Sequence, residues 1–466
     1  MNALMKITVI RKVVAFYLLS FSVLIGCSDD KTPPEFPEIP PIVEEPIEKI
    51  PTEELLELVQ KRTFNYFWDF AEANSGCARE RSQEDAYDGH SPRLVAIGAT
   101  GFGISCFPVA VTRGWISRED AIVRLNKILT FLETAKKCKG AYAHWYYGDT
   151  GQIRPFSWDD NGADLVETAF LMQGLLINRQ FFDKGETKEK EIRERITALW
   201  EAVEWSAFDP GDNTLNWHYS SDKYHPFKMG MKVGGWNEAL IVYVLAAASP
   251  TYGITKSTYE NGWFEHGGKM YNGKSFYGIT LPLAIDYGGP MFWSHYSFIG
   301  LDPRNLEDQY ANYWEQVNAH ALINYSYCRE NPKGWKGYGG DSWGLTSSDN
   351  HLAYGDETHG YGGHEPGNDL GVIAPTAALA SFPYTPRESL KALEYFYYKK
   401  NTKLWGDYGF YDAFSEHYNW YSDGYIGIDQ GPIVAMIENY RTQLLWNLFM
   451  ADQEVKDGLT KLGFSY

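Results

Sequence analysis

Acidic side chains recur where loops rich in glycine and aromatics run into apolar helices, and this pattern is the one in the chain able to do chemistry. Asp159, Asp160, Asp164 and Glu167 follow Ser157-Trp158, Glu238 closes Gly234-Gly235-Trp236-Asn237, and Asp423 and Asp429 flank Tyr425-Ile426-Gly427-Ile428. Two carboxyl groups facing one sugar can break a glycosidic bond, one protonating the leaving oxygen and the other activating water or attacking. Their separation sets the outcome, roughly 5–5.5 Å for retention and roughly 6.5–9.5 Å for inversion. The same residues also suit helix starts. Asp160 or Asn161 can cap a helix, Asp164 and Glu167 have capping-box spacing, and Glu238 gains from a helix dipole. For Glu238 the two roles conflict: a helix amino terminus lowers a carboxyl pKa, whereas a general acid needs it raised by burial. The adjacent Trp236 is the expected source of that burial.

Aromatic residues make up 16% of the chain, with 16 Trp and 33 Tyr, and many fall in loops, among them Trp158, Trp236 and Trp420. A flat ring suits the apolar face of a pyranose. The formal charge of −18 repels nucleic acid and other polyanions, so a neutral glycan fits better. The same acidity argues against a polysaccharide lyase, which neutralises a uronate with cationic or amide groups. No cofactor is expected. His359 and His364 lack metal-type spacing, and the chain has no Walker motif, dinucleotide fingerprint or G-x-S-x-G elbow.

The elements that must carry these acids are helices of two kinds. Segments 118–137, 188–206 and 386–400 are amphipathic, with Ile122, Leu125, Leu129 and Leu132 marking one apolar face and Ile192, Ile196, Leu199 and Val203 another. The stretches Leu165–Ile177, Ala239–Ala248, Val372–Ala380 and Ile433–Phe449 are apolar nearly all round and must be covered on every side. Buried helices alternating with half-wet ones predict an all-α fold, an (α/α)6 toroid. A TIM barrel needs eight Val/Ile-rich strands, and no such series is present. Segments 262–303 and 331–371 are expected as long loops or short strands at one mouth of the ring.

Ahead of this domain, Lys6, Arg11 and Lys12 precede an apolar run from Val13 to Ile25 that ends in Gly26-Cys27. That is the form of a signal peptide. The small residue before Cys27 resembles the lipobox of bacterial lipoproteins, which implies a lipidated Cys27 and an outer-membrane protein facing the periplasm or the cell exterior. Residues 1–27 are therefore expected to be removed or anchored and 28–52 to form an extended linker of prolines and glutamates. Residues 53–466 are read as a single domain. Cys77, Cys106, Cys138 and Cys328 can form two disulfides in an oxidising compartment, but a core of this size favours four unpaired, buried thiols.

From about Glu53 onward, Ser157-Trp158-Asp159-Asp160-Asn161-Gly162-Ala163-Asp164-Leu165-Val166-Glu167-Thr168, Gly234-Gly235-Trp236-Asn237-Glu238-Ala239 and Tyr425-Ile426-Gly427-Ile428-Asp429-Gln430-Gly431-Pro432 resemble the putative glucoamylase, or glucoamylase-like, family of glycoside hydrolase family 144. The resemblance implies an (α/α)6 fold and inverting hydrolysis of β-1,2-glucan, by endo action or by release of sophorose from chain ends. It implies Glu238 as general acid and Asp429 as general base, with Asp423 a nearby alternative. It further implies Asp160, Asp164 and Glu167 as cleft-lining sugar binders; Asp423 and the loop aromatics Trp158, Trp236 and Trp420 are the other candidate substrate contacts. The expected partner is a glucan poly- or oligosaccharide, the expected membrane contact is the lipid anchor alone, and the chain is expected to be a monomer. The competing readings are a glucoamylase acting on α-glucan and a non-catalytic surface glycan-binding lipoprotein.

Overall fold

A computed structural model describes residues 49–83, 92–265, 270–352 and 360–466. The signal peptide, Cys27 and most of the linker lie outside these residues, as does His359. No helix among the described residues is long and apolar enough to cross a membrane.

The body from Lys49 to Tyr466 is largely helical. Its wholly buried segments form where the sequence offers no polar face. In the Leu240–Ala248 helix every residue is buried, and Leu165–Phe181 is buried from Leu165 through Asn178. Ile97–Ser105 is a third buried helix, built from small and apolar residues. It packs on both Leu165–Phe181 and Gly427–Arg441, and Leu165–Phe181 packs in turn on Leu240–Ala248. The next position is taken by tight turns at Met291–Ser294 and Ser297–Ile299, where Ser297 Oγ accepts the Ile241 N–H at 3.0 Å. His295 Nε2 then meets Ser381 Oγ at 3.0 Å, just past the short Pro375–Leu379 helix. Thr376 Oγ1 donates to the Asp429 carbonyl at 2.8 Å and so reaches the Gly427–Arg441 helix.

Amphipathic helices pack against this set. Thr52–Trp68 lies on Gly427–Arg441, Gln453–Leu462 on Leu240–Ala248, and Arg118–Thr134 on Thr187–Glu201. Arg118–Thr134 shows the local logic: Ser117 Oγ caps the Asp120 N–H, and Ile122, Leu125, Leu129 and Leu132 turn inward. Short antiparallel strands sit at the starts of buried helices. Leu94–Ala96 pairs with Trp145–Tyr147 and leads into Ile97, and Ala163–Asp164 pairs with His218–Tyr219 and leads into Leu165.

The structure departs from the sequence reading in four places. Val372–Ala374 is extended, with the Ile373 N–H on the Phe414 carbonyl, and the helix begins only at Pro375, whose ring fits a first helical position. The span read as one helix to Phe449 starts earlier, at Gly427, and breaks at Gln443 (φ 64°) before a separate Leu444–Ala451 helix. Segment 262–303 contains the expected strand pair, but its end turns inward to become core, with Met291, Phe298 and Ile299 fully buried. All four cysteines are free and three are buried, while Cys138 is half-buried.

The tightest helix contact fixes two glycines. A Cβ on Gly101 would stand 2.3 Å from the Phe170 carbonyl oxygen, and one on Gly174 would stand 2.2 Å from that of Gly101. Backbone, not a movable side chain, fills both spaces. Gly101→Ala is therefore expected to cost about 1–3 kcal/mol by forcing these helices apart. Urea unfolding would measure this, and a midpoint equal to wild type at unchanged slope would refute the packing account.

Candidate active site

The starts of the buried helices surround a cavity of 360 Å³. Asp164 and Glu167 line one side. Strand pairing of Asp164 with His218 sets the Asp164 carboxylate at the amino end of Leu165–Phe181, where Oδ1 accepts the N–H groups of Val166 (2.9 Å) and Glu167 (3.0 Å). The capping role read from the sequence thus falls on Asp164. Glu167 does not complete a capping box: its Oε2 instead accepts the Gly98 N–H at 2.6 Å, at the amino end of Ile97–Ser105.

Two imidazoles hold these acids. Asp164 Oδ2 lies 3.3 Å from His144 Nδ1 and 3.5 Å from His218 Nε2, and Asp160 Oδ2 lies 3.6 and 3.4 Å from the same nitrogens. Burial pushes the His218 ring down, but Asp160 and Asp164 outweigh it and raise its pKa to about 9. His144 likewise loses to burial and is carried well above the ordinary imidazole value by Glu167, Asp160 and Asp164. Asp164, also penalised by burial, is held low by hydrogen bonds from both rings. Glu167 goes the other way: burial raises its pKa, Asp164 and Asp160 add to the rise, and His144 and the Gly98 N–H only partly oppose it. His144, Asp160 and Asp164 bring their ligand atoms within 4.8 Å of one another, so these three could surround a cation. A cation there would compete with two charged imidazoles for the same oxygens.

Glu238 lines the same cavity, near enough to Asp164 and Glu167 to feel their charge. It sits just ahead of Leu240–Ala248, and its carbonyl oxygen accepts the Ser297 hydroxyl. Burial, with Asp164 and Glu167 adding, raises its carboxyl pKa to about 8 against the opposing bond from its own backbone N–H. Burial therefore wins the conflict posed by the sequence, though Trp236 is not its source. That ring points into the core, 4% exposed and stacked near Phe298 and Tyr313, and Phe292, Tyr296 and Trp217 wall the cavity instead.

Asp429 is 1% exposed and does not line the cavity, although its chain neighbours Ile426 and Ile428 do. Its Oδ1 accepts the Tyr296 hydroxyl at 3.3 Å, and Tyr296 lines the cavity. Burial raises the Asp429 pKa, with Asp349 adding and Tyr296, Asp412 and Arg81 opposing. Asp412 is raised further by burial, Asp429 and Asp349. Arg81 is the cation of this side, bonding Asp349 at 3.1 Å and Glu80 at 2.9 Å.

Of the residues singled out by sequence, the structure brings Asp164, Glu167 and Glu238 to the cavity lining, while Asp160 contacts the lining residue His144 and Asp429 the lining residue Tyr296. The others sit elsewhere. Trp158 is 83% exposed outside the cavity, with Lys228 over its ring at 4.8 Å. Trp420 packs beside Val372, Ala374 and Ala413, and Asp423 is exposed and accepts Gln83 Nε2 at 3.3 Å. Buried His364 carries two unpartnered ring nitrogens away from the cavity lining. The sequence reading missed His144, His218, Glu80, Arg81, Asp349, Asp412, Tyr296 and Tyr361. His144, inside Ala143-His144-Trp145-Tyr146-Tyr147, carried the one visible signal, a histidine in an aromatic loop. Phe156 stacks on it at 4.3 Å.

A helical body with one cleft walled by aromatics and paired carboxyls belongs to the class of scaffolds that handle glycans. Within that class, the family described as "Putative glucoamylase" matches residues 230–453. The chain is 49% identical to an endo-β-1,2-glucanase from Chitinophaga pinensis solved with sophorotriose and glucose, covering 90% of this chain and 99% of that one at a TM-score of 0.85. It is 48% identical to a putative glucoamylase structure from Bacteroides uniformis, covering 90% and 98%, at a TM-score of 0.84. It is 44% identical over 431 residues to an exo β-1,2-glucooligosaccharide sophorohydrolase (non-reducing end) of Parabacteroides distasonis, covering 88% of this chain and 58% of that relative's length. The chain belongs to this family, glycoside hydrolase family 144.

The cluster sets the pH response of the fold. His218, Glu238, Glu167 and Asp429 all have raised pKa values, so the folded chain keeps protons that the unfolded chain releases near 6.5 for the imidazole and 3.8–4.5 for the carboxyls. Their contribution is complete below those unfolded values and is lost as pH climbs through the folded ones, up to about 9 for His218. The thermal midpoint is expected to fall steadily between about pH 6 and 9.5. A flat or rising midpoint over that range would contradict the assignment.

Proposed function

We propose that the chain is an inverting glycoside hydrolase acting on β-1,2-glucan or its oligosaccharides, on an (α/α)6 toroid, with Glu238 as general acid and Asp429 as general base. The observation that carries this reading is Glu238. It is a cavity-lining carboxyl with a pKa of about 8, set near Asp164 and Glu167, so it keeps a proton to give at neutral pH. The named activities of the relatives on β-1,2-linked glucose support the substrate. The set-back position of Asp429 supports inversion, because it leaves room for a water between base and sugar. The succession of buried segments, each beside the next and the last against the first, supports the toroid.

In this mechanism Glu238 protonates the scissile oxygen as water attacks the opposite face of the sugar and its proton passes to Asp429. Asp164 and Glu167 hold sugar hydroxyls, Asp160 helps to fix His144 and His218 beside them, and Trp145, Trp217 and Phe156 cover the ring faces. Cys27 carries the lipid, and residues 28–48 space the enzyme from the outer membrane, the folded body beginning at Lys49.

Linear β-1,2-glucan should yield sophorose or short sophoro-oligosaccharides whose new reducing ends appear first as the α anomer by NMR, while starch yields no product. Glu238→Gln should lower kcat by at least about 100-fold with folding intact. Wild-type rates in that variant, or hydrolysis of starch alone, would overturn the reading. Cells expressing the full chain should incorporate labelled palmitate into it, and Cys27→Ser should abolish the label; persistent labelling would exclude Cys27 as the anchor.

A further inference from the structure

Asp412 Oδ1 and Asp429 Oδ2 are buried and left without a hydrogen-bond partner while both groups are ionised. The two carboxyls lie within hydrogen-bonding reach of each other, so a proton on one can be shared with the other. Their other oxygens are already engaged. Asp412 Oδ2 accepts the Asp349 N–H at 2.7 Å, and Asp429 Oδ1 accepts the Tyr296 hydroxyl at 3.3 Å. Asp429 does not line the cavity, whereas Tyr296 does, on the same cavity as Glu238. Among the described residues, the Tyr296 hydroxyl is a cavity-lining group hydrogen-bonded directly to the Asp429 carboxyl.

We propose that Tyr296 carries the proton released by the attacking water, passing its own hydroxyl proton to Asp429, while Asp412 keeps the other proton of the buried pair. This rests on the hydrolase reading above. The step balances as follows. A water oxygen bonds to the anomeric carbon as the bond to the leaving oxygen breaks, and Glu238 protonates that oxygen. One water proton moves to the Tyr296 oxygen, and the original Tyr296 proton moves to Asp429 Oδ1. Glu238 ends ionised and Asp429 ends neutral, so charge is conserved, and solvent later restores both.

The surroundings suit a transfer by exchange. Burial, then Asp429, Tyr361 and Glu238, push the Tyr296 hydroxyl well above the ordinary phenol value, so it remains neutral between turnovers. The groups facing Asp429 are Asp349, Asp412 and Arg81, with Glu80 holding the far side of the guanidinium and Tyr361 on the cavity side. Arg81 is the one cation in this set, and three aspartates beside it cannot all be ionised cheaply. Asp412 therefore holds a proton so that Asp429 can lose one. Tyr296 packs against Phe102, Phe292 and Phe170 at ring distances of 4.9, 5.1 and 5.6 Å, and Tyr296→Phe keeps these contacts while deleting the relay oxygen.

The test uses the full chain on β-1,2-gluco-oligosaccharides, comparing wild type, Tyr296→Phe, Asp412→Asn and Asp429→Asn. Tyr296→Phe should lose at least about 100-fold in kcat with KM within about threefold. Rates in mixed H₂O and D₂O should fall on a bowed line for wild type, where several protons move together, and on a straight line for Tyr296→Phe. Asp412→Asn should leave the acidic limb of the kcat/KM profile in place, since the neutral amide stands in for protonated Asp412 and still donates to Asp429. Active wild type with Tyr296→Phe within threefold in kcat, or still bowed, overturns the relay alone. Wild type inactive on every glucan overturns the hydrolase reading and the relay with it, and wild-type activity in Asp429→Asn overturns the base. If Tyr296→Phe does not fold, the Asp412→Asn limb decides, and a limb displaced in either direction overturns the proposal.

Discussion

Burying carboxyl groups without enough cations to pair them is the constraint on which the site depends. Glu238, Glu167, Asp412 and Asp429 sit in or near one small cavity, and the cationic groups among them are His144, His218 and Arg81. Water would relieve this crowding by solvating each carboxylate, but Asp412 and Asp429 are only 2% and 1% exposed and aromatic side chains line much of the cavity. The acids respond by holding protons, and each raised pKa is the direct consequence. The exception proves the rule in its own terms: Asp164 stays ionised because two imidazoles and two backbone N–H groups converge on it.

The fold tolerates this crowding because its helices are stiff and close. Gly101 and Gly174 let the Ile97–Ser105 and Leu165–Phe181 backbones touch, which fixes the distance between the Gly98 N–H and Glu167. The short strand pair Ala163–Asp164 with His218–Tyr219 then brings Asp164 opposite a histidine from a separate loop. Neither contact requires a long sheet or a flexible lid. The electrostatics of the cavity follow from where helices begin, and helix beginnings are set by caps, glycines and apolar runs distant from the chemistry.

These origins explain what the sequence disclosed. All-round apolar runs identify Leu165–Phe181 and Leu240–Ala248 because burial on every side leaves no polar residue to hide the signal. The Met291–Ile299 turns were invisible by that measure, being too short for a period and interrupted by Ser294, His295 and Ser297, although they fill the same structural position. Acids at helix starts pointed to Asp164, Glu167 and Glu238 because capping and catalysis favour the same places. His144, Arg81, Asp349, Asp412 and Tyr296 come from five separate stretches, and only the closing of the fold makes them neighbours. Trp236 misled for the converse reason: adjacency in sequence placed it beside Glu238, but successive side chains at a helix start point in different directions, and its ring went to Phe298 and Tyr313.

The two sides of the cavity hold their protons by different means, and the difference fits opposite duties. Glu238 is raised by burial and by acids of the same cavity, with no cation among its causes, so its proton leaves only when something in the cavity demands it. Asp429 is raised by burial and Asp349 but opposed by Tyr296, Asp412 and Arg81, so its ionised form is supported by donors that the Glu238 carboxyl lacks. A donor should be costly to ionise until the leaving oxygen pulls the proton away, and an acceptor should be ionised without being solvated. Solvent contact would erase both conditions at once, bringing the two carboxyls toward one common value. Under the proposed assignment of acid and base, the aromatic lining serves the proton chemistry as well as offering a surface for a sugar ring, because it helps to keep the two carboxyls unequal.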